Sequence, residues 1–499
     1  METTVEQSNN TPLFDTQEYE KRELAIRREA AEAITEKEMA GNVFRLAWPV
    51  TAEAILQTTI RIVTAALLGH IPVYSALAIS ASGLADRIIR LTWAVFAAIG
   101  TGSTVMIARS IGAGKKELAN EFASQALVIG AGMFAIITAV VLFFPGQIIN
   151  VLYNADRGLD AELVDMAVDY LRLISWSIPF MAANQIISAL LRGAGNTIVG
   201  LITNTAANIV NVILGYILIY GQLGAPAMGI AGAAIATIIS QGVGAAMAIL
   251  IFFNIQDSLK VVFTRFRFHF VRIKDMFGIG VPHAFEMLLM QFGQVILAGL
   301  IGSMGAVELA AHTQGIIAES ISYMPAMGFS IAATTLVGMS VGLGSVKLSM
   351  RYVRVLMKWN LILTAVTAAF LIIIPRRMFS LLSNDQDVIA LGVVYLLIMG
   401  FCQFPQQSAG VLAGVLRGGG DNKVTLLIST IGLVVVRIPL CFIFANTFGW
   451  GIIGVWCAMS VDIVVRFLLF VLRYTGGKWK KTAILIAGGT DVQVSREPE

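Results

Sequence analysis

Twelve stretches of this chain are long and apolar enough to cross a lipid bilayer, and that constrains the fold more than anything else in the sequence. A spanning helix needs about 20 mostly apolar residues. Segments 44–69, 75–101, 120–146, 164–190, 198–220, 229–253, 276–301, 308–336, 355–375, 387–413, 424–446 and 451–474 meet that length, parted by polar breaks such as Gly112-Ala113-Gly114-Lys115-Lys116. Composition agrees: 57% of the 499 residues are hydrophobic and only 13% are charged, against roughly 25% charged in a soluble domain. The expected fold is an all-α polytopic membrane protein.

The segments are two sets of six. Pro49-Val50-Thr51-Ala52-Glu53 returns as Pro282-His283-Ala284-Phe285-Glu286 after 233 positions, a shift that also carries Asp86 onto Glu319 and Gly69 onto Gly302. Leu191-Arg192-Gly193-Ala194-Gly195-Asn196 resembles Leu416-Arg417-Gly418-Gly419-Gly420-Asp421 at 225, and Gly229-Ile230-Ala231-Gly232 answers Gly451-Ile452-Ile453-Gly454 at 222. Small loop deletions produce such a drift. Six helices per half is an even number, so both halves insert the same way, related by an axis along the membrane normal. Two pseudo-symmetric six-helix lobes around a central cleft are expected.

Of the 35 Lys and Arg residues, 26 fall at the termini or in even-to-odd connections, while only Arg157, Arg376 and Arg377 fall in connections on the other side. That asymmetry puts both termini in the cytoplasm. The expected divisions are a cytoplasmic segment 1–42 with an amphipathic surface helix, an N-lobe 43–253, a linker 254–275, a C-lobe 276–475 and a tail 476–499 that ends in disorder. Cys402, Cys441 and Cys457 lie in apolar segments without metal-ligand spacing, so neither a disulfide framework nor a metal site is expected.

Glu53, Asp86, Glu286 and Glu319 each fall about 9 to 11 residues into an apolar segment, near mid-depth at about 1.5 Å per residue. Facing lipid they would be costly, so they should face protein or a water-filled cavity. Such groups can exchange a proton, or a small cation, for a cationic substrate. Glu286, Glu319 and Glu53 lead as candidates. Asp86 precedes Arg90 by four residues, and Asp462 precedes Arg466 likewise, a spacing that favours structural ion pairs. His283 and His312 are candidate proton relays, although packing is the commoner role for such histidines. Gln57, Gln291, Gln294 and Gln314, with Met290 and Tyr323, are candidates to line a pliable cavity for flat organic cations, with interhelical packing as their ordinary role.

Gly112-Ala113-Gly114-Lys115 lacks the earlier glycine and the following Ser or Thr of a phosphate-binding loop. With no nucleotide site in the sequence, a secondary transporter driven by an ion gradient is favoured over a primary pump.

Ala310-Ala311-His312 and the run Met324-Pro325-Ala326-Met327-Gly328-Phe329-Ser330-Ile331-Ala332-Ala333-Thr334-Thr335-Leu336-Val337-Gly338 closely resemble the helix 7–8 region of the multidrug and toxic compound extrusion (MATE) family, the DinF-like bacterial branch nearest. Ile111 to Lys115, Leu191 to Asn196, and Arg437-Ile438-Pro439 with Trp456 and Asp462 fit the same family, over residues 43–480. The resemblance implies two six-helix bundles with a V-shaped cleft in a bacterial inner membrane. It also implies export of organic cations or other toxic compounds against inward H⁺ or Na⁺, with no other cofactor and no nucleic-acid partner, by a monomer. One departure stands out. Many members carry an aspartate five residues before the glycine closing helix 1 and another after the Asn of helix 5, where this chain has Thr64 and Gly215. Two other functions fit less well: a lipid-linked precursor flippase of the same architecture, for which Arg61, Arg87 and Arg90 speak, and a membrane-embedded transferase, for which no catalytic constellation is found.

Overall fold

A computed structural model of the protein describes residues 14–69, 75–153, 161–255, 259–260 and 266–484. In hydrocarbon every backbone N–H and C=O must be satisfied within the chain, which leaves helices for a sequence of long apolar runs. Helices are what form. They are α1 (Phe14–Ala33), α2 (Glu36–Gly69), α3 (Ser75–Gly112), α4 (Lys116–Phe143) and α5 (Pro145–Tyr153). Next come α6 (Ala161–Gly193, with a short 3-10 turn at Ser175–Ser177), α7 (Ile198–Tyr220) and α8 (Gly229–Asn254). The second half comprises α9 (Phe270–Gly302), α10 (Ala306–Gly342), α11 (Val346–Ile373), α12 (Pro375–Ser380), α13 (Gln386–Gly419), α14 (Asn422–Thr447) and α15 (Gly451–Thr475).

Among the described residues, 11 of these helices are long and apolar enough to cross a membrane; α2, with 34 residues, completes the set of twelve. The short α5 and α12 are extras that hydropathy alone does not reveal. Several spans also run past their apolar stretch: α2 begins at Glu36 and α9 at Phe270, because intrahelical hydrogen bonds continue into a polar segment as readily as through an apolar one. The N-terminal segment does form a helix, α1, but a predominantly polar one without a marked apolar face; the expected disorder after Ala487 lies outside the described residues.

The repeat reappears in the helix boundaries. Adding 230 carries α4 onto α11 at both ends and Pro145 of α5 onto Pro375 of α12, and adding 222 carries the start of α8 onto that of α15. Large apolar cores form within each half: Phe96, Phe134, Ile149 and Leu171 in the first, Tyr395, Met399, Trp456 and Phe379 in the second. A third core joins Met39, Val43 and Leu46 of α2 to Val337, Leu416 and Trp479.

The halves meet at the end of the molecule that carries α1 and the last described residues, where Arg27 lies by Gly114 and Trp479 by Gly419. A Cβ on Gly112 of α3 would lie 2.0 Å from the Met339 carbonyl oxygen of α10, and one on Gly342 of α10 would lie 2.0 Å from that of Arg109. These are the same contact read twice, since 230 carries 112 onto 342 and 109 onto 339. A Cβ on Gly280 would similarly meet the Ala98 carbonyl oxygen, and its repeat-related partner contact sets Gly328 against that of Ala47 at 2.4 Å. Only glycine lets two helix backbones approach so closely. Polar ties reinforce the seam: Arg109 Nη2 donates to the Gly418 carbonyl at 3.1 Å, Thr335 Oγ1 to that of Arg192 at 3.2 Å, and Thr51 Oγ1 to that of Pro325 at 3.3 Å. The seam reaches the Ala94, Ala98, Ala284 and Leu288 cluster. Beyond it α3 exposes Gly83, Asp86 and Arg87, while α9 exposes Gln291, Phe292, Gln294 and Val295. The halves are therefore closed against each other at the terminal face.

Candidate functional site

Glu53 and Glu286 sit near the middle of α2 and α9, and each is buried. Pro49 and Pro282, four residues earlier, cannot donate to the carbonyl of the preceding turn. The carbonyl so freed at Arg45 accepts from Thr197 Oγ1 at 3.2 Å, which ties α2 to the start of α7.

The chain surrounds the two acids with repeat-related partners. Asn204 Nδ2 of α7 donates to Glu53 Oε1 at 2.8 Å, and Gln57 Nε2 adds a longer bond at 3.3 Å. In the second half Ser429 Oγ of α14, which 225 relates to Asn204, donates to Glu286 Oε1 at 2.7 Å. Arg192 lies within electrostatic reach of Glu53. Its counterpart Arg417 makes a direct ion pair with Glu286, Nη2 to Oε2 at 3.0 Å. Behind Asn204, Asn184 donates through Nδ2 to the Asn204 Oδ1 at 3.0 Å and accepts at its own Oδ1 from Thr203 Oγ1 at 2.9 Å. One device is thus built twice, an acid from Pro-x-x-x-Glu beside the arginine of Leu-Arg-Gly.

Glu319 is caged differently. Tyr395 Oη donates to its Oε2 at 2.6 Å and Gln403 Nε2 to its Oε1 at 3.1 Å, with Gln407 Nε2 bonded in turn to Gln403 Oε1 at 2.8 Å. Around it, Tyr395 stands edge-on to both His312 and Trp456, and Trp456 Nε1 donates to His312 Nδ1 at 3.3 Å. His312 is fully engaged in this packing. His283 Nδ1 lies 3.3 Å from Glu286 Oε2.

Asp86 is exposed on the cleft stretch of α3; the side chains of Arg61, Thr64 and Arg90 lie outside those described, so its pairing with Arg90 does too. Gln291 and Gln294 are exposed on α9 beyond the seam, Met290, Tyr323 and Gln57 are half-buried, and Gln314 keeps a buried Oε1 without a hydrogen-bond partner. Asp462 and Arg466 do pair, Nε to Oδ1 and Nη2 to Oδ2, both at 2.8 Å. Arg437 of α14 joins them at 2.7 Å, and it does so from a π-helical stretch, Ile431–Arg437, of the kind that interrupts α-helices at functional sites. At the family's other acid position, Gly215 is buried beside Leu67, and nearby Asn211 Nδ2 bonds Thr237 and Ser240 hydroxyls at 3.2 Å each.

The partners that sequence spacing misses are the distant ones: Arg417 for Glu286, Tyr395 and Gln403 for Glu319, and Asn204 for Glu53. A signal existed for one of them, Arg417. Arg192 and Arg417 occupy matching places in the Leu-Arg-Gly repeat, and a repeated arginine beside a repeated acid points to their meeting.

A family model described as MatE matches residues 49–217 and 282–443, and the first match opens on Pro49 as the second opens on Pro282. Across 448 residues the chain is 31% identical to a probable multidrug resistance protein NorM of Thermotoga maritima, covering 90% of this chain and 95% of the relative. It is 26% identical to the multidrug resistance protein MdtK of Edwardsiella ictaluri over 87% of this chain and 94% of that one. Among solved structures, an outward-facing MATE-family multidrug resistance transporter of the MOP superfamily superposes with a TM-score of 0.79 at 21% identity, over 89% of this chain and 97% of that one. A MATE protein in the bent conformation gives 0.81 at 20%, over 90% and 99%. At those identities the structures speak for the fold.

Proposed function

The chain belongs to the MatE family of membrane transporters, not enzymes, and from that premise we propose that it is an antiporter of the inner membrane that exports small, cationic amphipathic molecules against inward H⁺ or Na⁺. Its termini face the cytoplasm, as the distribution of Lys and Arg requires, so the closed seam is the cytoplasmic one and the cleft opens outward. Alternating access then needs only that the seam part while the outer edges meet.

The observation that carries the reading is the setting of Glu53 and Glu319. Each is buried, in a different half, and among the described residues each is hydrogen-bonded by neutral donors and has no Lys or Arg nitrogen within 4.0 Å. Such a carboxyl can gain or lose a proton, or take a sodium ion, without rupturing an ion pair. Glu286 is already neutralised by Arg417, which suits it to shaping the pocket more than to carrying the coupling ion. The names of the relatives, multidrug resistance proteins of Thermotoga and Edwardsiella, support drugs or toxic metabolites as cargo.

The test uses proteoliposomes holding a pH-sensitive dye, with ethidium as cationic cargo and choline replacing Na⁺ at fixed pH. Glu319→Gln is expected to insert normally and to lower ethidium-driven proton or sodium flux by at least about tenfold, the usual scale for removing an essential proton carrier. Wild-type flux from that variant together with wild-type flux from Glu53→Gln would overturn the reading.

A further inference from the structure

The two halves share the acid–arginine device but differ in what lies behind it. In the first half, Asn184 and Ser188 fill the space beside Glu53 and Asn204; both are fully buried. The repeat carries these positions onto Ala409 and Ala413, and carries Gly244, which packs against Asn184, onto Arg466. Small side chains replace polar ones, and an arginine stands where the first half has a glycine. The result is a cavity of about 170 Å³ in the second half, bounded by Arg417, Arg466, Gln406, Ser330, Ile463 and Phe470.

Two guanidinium groups, Arg417 and Arg466, and one carboxylate, Glu286, line it, and behind that wall Arg466 shares Asp462 with Arg437. Asp462 divides its oxygens between two of the arginines, and Glu286 is further held by Ser429 and His283. Arg417 Nε and Gln406 Oε1 are buried with no hydrogen-bond partner. An unmet guanidinium N–H inside a membrane protein is costly. A planar anion can accept from the guanidinium groups of Arg417 and Arg466 together.

We propose that this cavity binds a carboxylate group, held between Arg417 and Arg466 with the remainder of the molecule against Ile463 and Phe470. The site selects for anionic or zwitterionic molecules, which the coupling carboxylates Glu53 and Glu319 do not by themselves favour. Occupancy needs no ion gradient, so the site stands or falls separately from the antiport mechanism.

Benzoate and benzylamine, a matched pair of opposite charge, test it by calorimetric titration of the purified full-length protein in detergent at low chloride. Benzoate is expected to bind saturably at one site and benzylamine at least about tenfold more weakly, the scale of a charged hydrogen bond. Glu286→Gln, which releases Arg417 from its counter-ion, should tighten benzoate binding, whereas Arg466→Gln should weaken it about tenfold. Should the arginine variant fail to fold, Ala409→Leu fills the space without touching a charge and should abolish binding alone. Benzylamine binding as tightly as benzoate, or benzoate affinity unmoved by Ala409→Leu, overturns the proposal.

Discussion

At the scale of single residues, the acids divide by partner. Asp462 is completely buried and serves two arginines, so Asp462→Asn strands charge in the second half's core. Breaking a buried pair by deleting one partner costs about 3 to 5 kcal/mol; the expected outcome is a markedly lower thermal midpoint in detergent, read by fluorescence-detected size exclusion. The i, i+4 spacing announces half of that triad, Asp462 with Arg466. Arg437 could not be read from spacing, because a π-helical stretch adds a residue to the turn and shifts which side chain faces α15. Glu319 shows the same limit more sharply. Its cage comes from Tyr395 and Gln403, 76 and 84 positions away, and no local periodicity encodes contacts at such range.

Among the elements, α1 touches both halves. Arg351 Nη2 donates to the Ile34 carbonyl just past the helix at 2.7 Å, Ser345 Oγ donates to Glu32, and Lys347 pairs with Glu32 at 3.3 Å. On its other side Arg27 lies against Gly114 of the first half. The Ser345 hydroxyl, with Arg28 and Lys347, holds the Glu32 carboxyl down at about 2. A carboxyl lowered in the folded state contributes its tether above its unperturbed value near 4.5, and loses it as pH falls toward 2. Relative to the intrinsic exchange rate at each pH, lower amide protection in α1 is therefore expected at pH 3 than at pH 6, and in Glu32→Gln at both; protection indifferent to pH and to the substitution would show that Glu32 does not hold the helix. The sequence announces α1 as a helix through its charge-rich N-terminal stretch, but its bridging position depends on tertiary contacts that its own composition does not contain. Element boundaries were legible where glycine closes a span, at Gly69 and beside Gly302, and illegible at Pro145 and Pro375, which the apolar segments run through, and where a helix runs on into polar sequence.

For the whole molecule, the duplicated pattern was legible almost entirely, because each half must bury its apolar faces in the same way and a shared ancestry keeps the same motifs. The conformational state was not legible, since it depends on which faces of the halves touch. Enlarging Gly280 or Gly342 should disfavour the closed seam. Gly342→Val is expected to shift spin-label distances between α3 and α10 at the terminal face by several ångströms, about one helix-contact displacement, and distances unchanged from wild type would place the pivot elsewhere. Where glycine sets main chain against main chain, as at 112, 280 and 342, the contact offers no opposing side-chain tip for compensating changes to trim. Each of the seam's glycine codons lies one nucleotide from several bulkier residues. Spontaneous mutants that insert well yet no longer clear a toxic dye should therefore accumulate at positions 112, 280, 328 and 342, a hot-spot map that selection on living cells would draw without any structure in hand.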